Sequence, residues 1–110
     1  MERFVKGDVV VIPFPFSDLS GSKRRPALAL TDLQGDDILL CQITSQCPHE
    51  AVAVPLLLSD FAAGSLPLSS YIRPTRIFTA DKKLIIRKAG TISADLMNTV
   101  TCRIISMLKS

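Results

Sequence analysis

The sequence has few of the residues that metal and cofactor sites usually require. It contains one histidine, His49, and three cysteines without the close spacing of a zinc or redox motif. No H-x-x-x-H, C-x-x-C or paired-carboxylate arrangement occurs, and neither do the glycine patterns that bind nucleotide phosphates. We therefore expect no metal and no cofactor, so that any catalysis must rely on Arg, Lys, Asp, Ser and Thr.

Long apolar runs are also missing. The longest is far too short to span a bilayer, and the first residues lack the basic and apolar regions of a signal peptide. The number of cysteines is odd, and Cys41 and Cys102 lie within apolar stretches, which predicts that both are small core residues. We expect a cytoplasmic protein that does not bind membranes.

The composition predicts one folded domain over residues 1–110. With 47% hydrophobic and 21% charged residues, the chain is too apolar to be disordered and long enough for one core. Its net charge of +3 is a mild bias towards anionic partners, concentrated in two basic stretches at 23–25 and 73–88. The apolar content indicates either a dense core or a face that a partner covers.

Short strands and one terminal helix are predicted along the chain. The strands are expected at 8–16, 25–31, 38–44, 51–55, 69–73, 76–80 and 84–88. Residues 59–64 fit one helical turn that ends at Gly64. From Ser93, a good N-cap, apolar residues recur every four positions, as in a helix. This order predicts a mainly β fold, a small curled antiparallel sheet or barrel with a C-terminal α-helix packed on it.

RNA cleavage is one reaction that the available side chains support, because the substrate supplies its own nucleophile, the 2′-hydroxyl. The protein must provide a base, a cationic donor to the phosphate oxygens and a donor to the leaving 5′-oxygen. Arginine suits the phosphate because its planar fork matches two oxygens at once.

Several short motifs follow one another along the chain. Near the N-terminus Gly-Asp heads an apolar strand, a Phe-Ser-Asp loop follows, and Arg-Pro opens the next strand. The segments concerned are Lys6–Val11, Pro13–Asp18, Lys23–Leu28, Ile43–Ser45, Ser70–Pro74, Thr79–Ile85 and Gly90–Ser93. In type and order they resemble the pattern of the MazF/PemK family of toxins, and the resemblance covers nearly the whole chain.

This resemblance implies an SH3-like barrel of the kind shared by MazF, PemK and CcdB toxins. It implies a homodimeric endoribonuclease (an mRNA interferase) that cleaves single-stranded mRNA sequence-selectively through 2′-hydroxyl attack, and that a cognate antitoxin neutralises. The catalytic arginine falls on Arg25 and the catalytic hydroxyl on Thr44, with Ser45 beside it. The substrate-binding residues that we expect are Phe16, Ser17, Asp18, Lys23, Arg73, Arg76, Asp81 and Lys82.

One position departs from the family pattern. Many members have an arginine immediately before the Thr-apolar-Asp triplet, where this chain has Phe78; Arg73 and Arg76 lie close by in sequence and are possible replacements.

Because a guanidinium stays protonated, Arg25 is better suited to clamp a phosphate than to act as general acid.

Structural and functional alternatives stay open from the sequence. Thr44 and Ser45 could cap a turn, and Asp81, a candidate base, could brace one; His49 is expected in an exposed turn. Two further functions remain possible: a non-enzymatic toxin of the same fold that poisons DNA gyrase, and a catalytically silent RNA-binding relative.

Overall fold

The computed structural model describes residues 3–14 and 23–110, which form seven strands, one α-helix and two short 3₁₀ turns. The elements are β1 (Asp8–Phe14), β2 (Lys23–Asp32), β3 (Asp37–Thr44), β4 (Val54–Leu56), β5 (Phe61–Gly64), β6 (Ser70–Asp81), β7 (Arg87–Ile92) and α1 (Ala94–Lys109). The 3₁₀ turns cover Leu58–Asp60 and Lys82–Leu84. The predicted mainly β class with a C-terminal helix is confirmed.

The seven strands form one antiparallel sheet in the order β4-β6-β3-β2-β1-β7-β5. The sheet is curled, so that side chains from the strands at its two ends meet in one core together with side chains of α1. The members of this inner cluster are Val9, Leu28, Cys41, Ile43, Val54, Leu56, Leu66, Ile72, Ile92, Met97 and Val100. The result is a half-barrel closed by the helix.

The opposite face of the central strands is buried as well. An outer cluster consists of Phe4, Val10, Ile12, Ala27, Ala29, Ile38, Leu40 and Ala80. Because β1 and β3 bury both faces, their sequences are nearly continuous apolar runs instead of alternating patterns. Asp8, buried at the start of β1, accepts hydrogen bonds from the Val5 N–H and the Thr91 hydroxyl, both at 2.9 Å, and so braces the turn before β1.

The predicted helix is confirmed, including its N-cap. The Ser93 hydroxyl oxygen accepts a hydrogen bond from the Leu96 N–H at 3.2 Å, and Val100 is fully buried. Leu108, the last residue of the apolar stripe, is exposed, because only the earlier turns of α1 reach the inner cluster. No helix within the described ranges is long and apolar enough to cross a bilayer.

Two predicted strands are one. The chain from Ser70 to Asp81 runs as a single strand through Pro74, which lies between the strands predicted at 69–73 and 76–80. The register between β3 and β6 shifts between Cys41 and Ile43, so the missing Pro74 N–H falls where the ladder is already irregular.

Residues 59–64 do not form a helical turn that ends at Gly64. They comprise the end of a 3₁₀ turn and then β5, which pairs with β7. Gly64 has a φ of +67°, and a Cβ on it would lie 2.2 Å from the Ala89 carbonyl oxygen. Glycine is therefore needed here because two strands approach each other closely. A glycine at this position is also typical of a helix C-cap, which is why the sequence predicted a helical turn.

Other boundaries also shift. The predicted strands at 51–55 and 84–88 begin at Val54 and Arg87, in the second case because a 3₁₀ turn occupies Lys82–Leu84. Cys41 is buried as predicted, but Cys102 is exposed on α1, so its assignment to the core is wrong. The last two residues of the strand predicted at 8–16 lie outside the described ranges.

Candidate functional site

Consecutive arginines lie near the start of β2, at one end of the sheet. Arg25 pairs with Ile12 of β1, whereas the ladder between β2 and β3 begins only at Ala27–Gln42. Beyond that end of the ladder, β3 finishes at Thr44 and Ser45 follows it. The antiparallel pairing therefore brings the first residues of β2 and the last residues of β3 to the same edge.

An open cavity of about 350 Å³ lies at this edge, and we call it the arginine cavity. Its lining combines three arginines, two serines and an apolar remainder. The residues are Val11, Arg24, Arg25, Pro26, Ile43, Ser45, Leu66, Pro67, Leu68, Ser70 and Arg87. Arg87 comes from β7, because β7 neighbours β1 and pairs Arg87 with Val11.

Among the described residues, no carboxylate offsets the positive charge of the arginine cavity. None of its described lining residues is Asp or Glu. The ion pairs found within residues 3–14 and 23–110 engage Arg73, Lys82 and Lys88 and leave the three cavity arginines unpaired. Such a site favours an anion, and planar guanidinium groups suit a phosphate in particular.

Ser45 shares this cavity with Arg25, but Thr44 does not. Thr44 lines a second cavity of about 410 Å³, the loop cavity, together with Gln46, Cys47, Pro48, His49, Glu50 and Arg73. The Thr44 hydroxyl oxygen accepts a hydrogen bond from the Gln46 N–H at 3.2 Å, which is the turn-capping role that the sequence left open. Successive residues of extended chain point to opposite faces, so the two neighbouring hydroxyls serve different cavities.

Arg73 is held by an acidic partner. Its Nε donates to Glu50 Oε1, and the Thr75 hydroxyl donates to Glu50 Oε2. Desolvation opposes ionisation of Glu50, but these hydrogen bonds and the positive charge of Arg73 hold the pKa of the carboxyl below its ordinary value. Arg73 therefore anchors the 45–53 loop to β6, while Arg76 is exposed and lines neither cavity.

Asp81 and Lys82 lie at the other end of the sheet, so the structure does not bring them to the arginine cavity. Asp81 pairs with Asp37, the first residue of β3, and seven residues of strand rise, about 23 Å, separate Asp37 from Thr44. Lys82 Nζ contacts Asp32 Oδ1 at 2.6 Å and the Gly35 carbonyl oxygen at 3.0 Å. Asp81 Oδ1 accepts from the Lys83 N–H at 2.8 Å, so Asp81 and Lys82 both brace turns.

The remaining predicted site residues are distributed as follows. Lys23 is exposed at the start of β2 and lines neither cavity. Phe78 is half-buried against the outer cluster, so the position at which family members often have arginine is used for packing in this chain. His49 is exposed, as expected. Phe16, Ser17 and Asp18 lie outside the described residues.

Sequence reasoning missed several residues of the arginine cavity. Arg24, Ser70, Arg87 and the segment 66–68 were not among the predicted site residues, although both arginines lie in recognised basic stretches. Only the neighbouring position of β7 and β1 brings Arg87 to the cavity, and no local signal carries that information.

The described part of the chain holds neither a cluster of metal ligands nor an ionised thiol at Cys41. No cluster of three potential metal ligands exists within residues 3–14 and 23–110. Burial raises the pKa of the Cys41 thiol to about 12, so it stays protonated, and its Sγ donates to the Arg73 carbonyl oxygen at 2.9 Å.

The fold is shared with known toxins. An endoribonuclease from a mycobacterial species, solved with its cognate antitoxin, aligns with a TM-score of 0.77 at 17% identity, covering 97% of this chain and 96% of its own. MazF in a MazE–MazF complex from Deinococcus radiodurans gives 0.75 at 19%, covering 98% and 97%. The Mycobacterium tuberculosis toxin MazF-mt6 gives 0.73 at 18%, covering 93% and 96%.

Comparison of the sequence itself gives a more specific result. Among curated proteins, none matches the chain. The family model for PemK-like, MazF-like toxins of type II toxin–antitoxin systems, however, matches residues 5–108, which is nearly the whole sequence and includes every residue of the arginine cavity. The chain belongs to the PemK-like, MazF-like toxin family.

Proposed function

We propose that this protein is a metal-independent endoribonuclease toxin that cleaves single-stranded mRNA sequence-selectively in the arginine cavity. The observation that carries the proposal is the meeting of Arg24, Arg25 and Arg87 with the Ser45 hydroxyl in one open cavity that no described carboxylate lines. The similar mycobacterial structure that was solved with its cognate antitoxin is named an endoribonuclease, which supports the same function and an antitoxin partner for this chain.

The proposed chemistry is attack of the RNA 2′-oxygen on the adjacent phosphorus. The P–O2′ bond forms, the P–O5′ bond breaks, and the products are a 2′,3′-cyclic phosphate and a 5′-hydroxyl. The proton of the 2′-hydroxyl passes to a base, and the leaving 5′-oxygen gains a proton. Negative charge on the non-bridging oxygens increases in the transition state, where fixed donors stabilise it most.

Arg25 is assigned to these non-bridging oxygens. Arg24 and Arg87 neutralise the neighbouring phosphates of the RNA backbone, and the Ser45 hydroxyl donates a hydrogen bond to the substrate. The reaction needs no metal in this scheme, because the guanidinium groups supply the positive charge that a cation would otherwise bring. Asp81 and Lys82 are left out of the proposed site because they lie at the far end of the sheet.

A fluorogenic RNA–DNA chimera with one ribonucleotide tests the proposal. The protein should cleave it in excess EDTA and leave 2′,3′-cyclic phosphate ends, and Arg25→Ala should be the inactive control. Absence of cleavage, or cleavage only after a divalent ion is added, would contradict the mechanism. A folded protein that binds RNA without cutting it would favour the catalytically silent relative.

A further inference from the structure

The arginine cavity has an apolar wall that the proposed chemistry does not use. Leu66, Pro67 and Leu68, three consecutive residues without a polar side-chain group, line it together with the three arginines. Leu66 is buried in the inner cluster, whereas 62% of Leu68 is exposed. Leu68 therefore offers apolar contact area to a ligand that binds in the arginine cavity.

This wall is fixed in place at both ends. The Ser65 N–H donates to the Ala89 carbonyl oxygen at 3.2 Å, which ties the start of the segment to β7. The buried Ser70 hydroxyl donates to the Leu68 carbonyl oxygen at 3.0 Å, which fixes the end of the segment to the start of β6. Burial of Leu66 holds the middle, so little ordering of the segment is needed when a ligand binds.

The lining of the cavity combines cationic and apolar side chains, which are the two kinds of contact that the two halves of a nucleotide require. A phosphate requires cationic donors, and the flat face of a base gains from contact with a side chain that excludes water. The volume of about 350 Å³ lies at the lower end of the range for small-ligand pockets, which suits one nucleotide better than several.

We infer that Leu66–Leu68 seats the nucleobase next to the phosphate held by the arginines, with Leu68 as its main contact. This inference rests on the proposed function for the identity of the ligand as single-stranded RNA. The side chains of Leu66, Pro67 and Leu68 carry no polar group, so they contact the base through shape and apolar surface.

The test is a double-mutant cycle between Leu68 and the base. Fluorescence anisotropy measures the affinity of the parent and of Leu68→Ala for uncleavable 2′-O-methyl oligonucleotides, with an abasic unit placed at each position in turn. At one position the abasic unit should weaken binding to the parent roughly tenfold, as expected for one base contact, and should weaken binding to Leu68→Ala hardly at all.

Leu84→Ala is the matched control, because Leu84 is also an exposed leucine but lies in the 3₁₀ turn Lys82–Leu84, at the other end of the sheet from the cavity. It should give the parental pattern. If the Leu68→Ala and abasic effects multiply independently at every position, or if no oligonucleotide binds, the inference is wrong. Cleavage is measured separately with RNA. If the unmutated protein binds RNA through Leu68 but does not cleave it, the proposed function is wrong, and the inference that Leu66–Leu68 contacts the base still holds.

Discussion

The two hydroxyls that follow one another at the end of β3 differ in what they contact. Ser45 faces the arginine cavity, and Thr44 caps its own turn through Gln46. We therefore predict that Ser45→Ala lowers single-turnover RNA cleavage more than Thr44→Val, which keeps the shape of the side chain. Single-turnover rates of both folded variants check this, and a larger loss for Thr44→Val would return the catalytic hydroxyl to the position that the family resemblance implies.

Arg25 is the side chain whose loss should separate chemistry from binding. Arg25→Ala is expected to lower the cleavage rate on the order of 100- to 1000-fold, with a much smaller effect on RNA affinity, because the charge that it stabilises grows in the transition state. Arg25→Lys should recover only part of the rate, since an ammonium cannot reproduce the two-pronged fork. Lys109→Ala, at the end of α1, is the control. Cleavage by Arg25→Ala at the parental rate would make Arg25 a surface charge.

The loop between β3 and β4 is held by a small polar network whose centre is Glu50. Arg73 and Thr75 of β6 both donate to its carboxylate, and Arg103 of α1 donates to the Val52 carbonyl oxygen at 3.4 Å. Because the loop begins with Ser45, this network also positions one edge of the arginine cavity. Glu50→Gln should destabilise the loop by about 1 kcal/mol, since a charged acceptor is lost.

The same network predicts a pH dependence. The pKa of Glu50 is lowered in the folded protein, so its stabilisation is fully present above the ordinary glutamate range and is lost as the pH falls through the lowered value. The hydrogen-exchange protection factors of residues 45–53, which are corrected for the intrinsic pH dependence of exchange, should therefore fall at acidic pH in the parent, and Glu50→Gln should show low protection at every pH. Asp95→Asn, on the first turn of α1, should exchange like the parent in this loop. Identical exchange in Glu50→Gln and the parent would rule out the anchoring role.

The distribution of apolar surface bears on assembly. Both faces of the central strands are buried, yet several large apolar side chains remain exposed, Leu57, Leu58, Ile105 and Leu108 among them. Together with the family membership, this predicts a two-fold homodimer. Light scattering at micromolar protein should give a mass about twice the 12.0 kDa of the chain. A monomer under those conditions would contradict the prediction and assign the exposed apolar surface to another partner, such as the antitoxin.

Local patterns in the sequence were sufficient for the elements whose signals are short-range. The four-residue period after Ser93 predicted α1 and its cap, and the apolar stretches predicted β1, β2 and β3 to within two residues in the described ranges. The order of residues also carried the family resemblance, and with it Arg25 and Ser45. These features depend on neighbours in the chain, which is why they can be read without the fold.

The composition of the arginine cavity was decided only by the tertiary structure. Arg87 reaches it because β7 lies beside β1, and Lys82, which belongs to the same basic stretch, is carried to the opposite end, where Asp32 neutralises it. Pro74 could continue a strand because the β3–β6 register shifts near it. Strand order and register depend on long-range pairing, so the sequence determined which charges exist, and the curled sheet determined which of them meet.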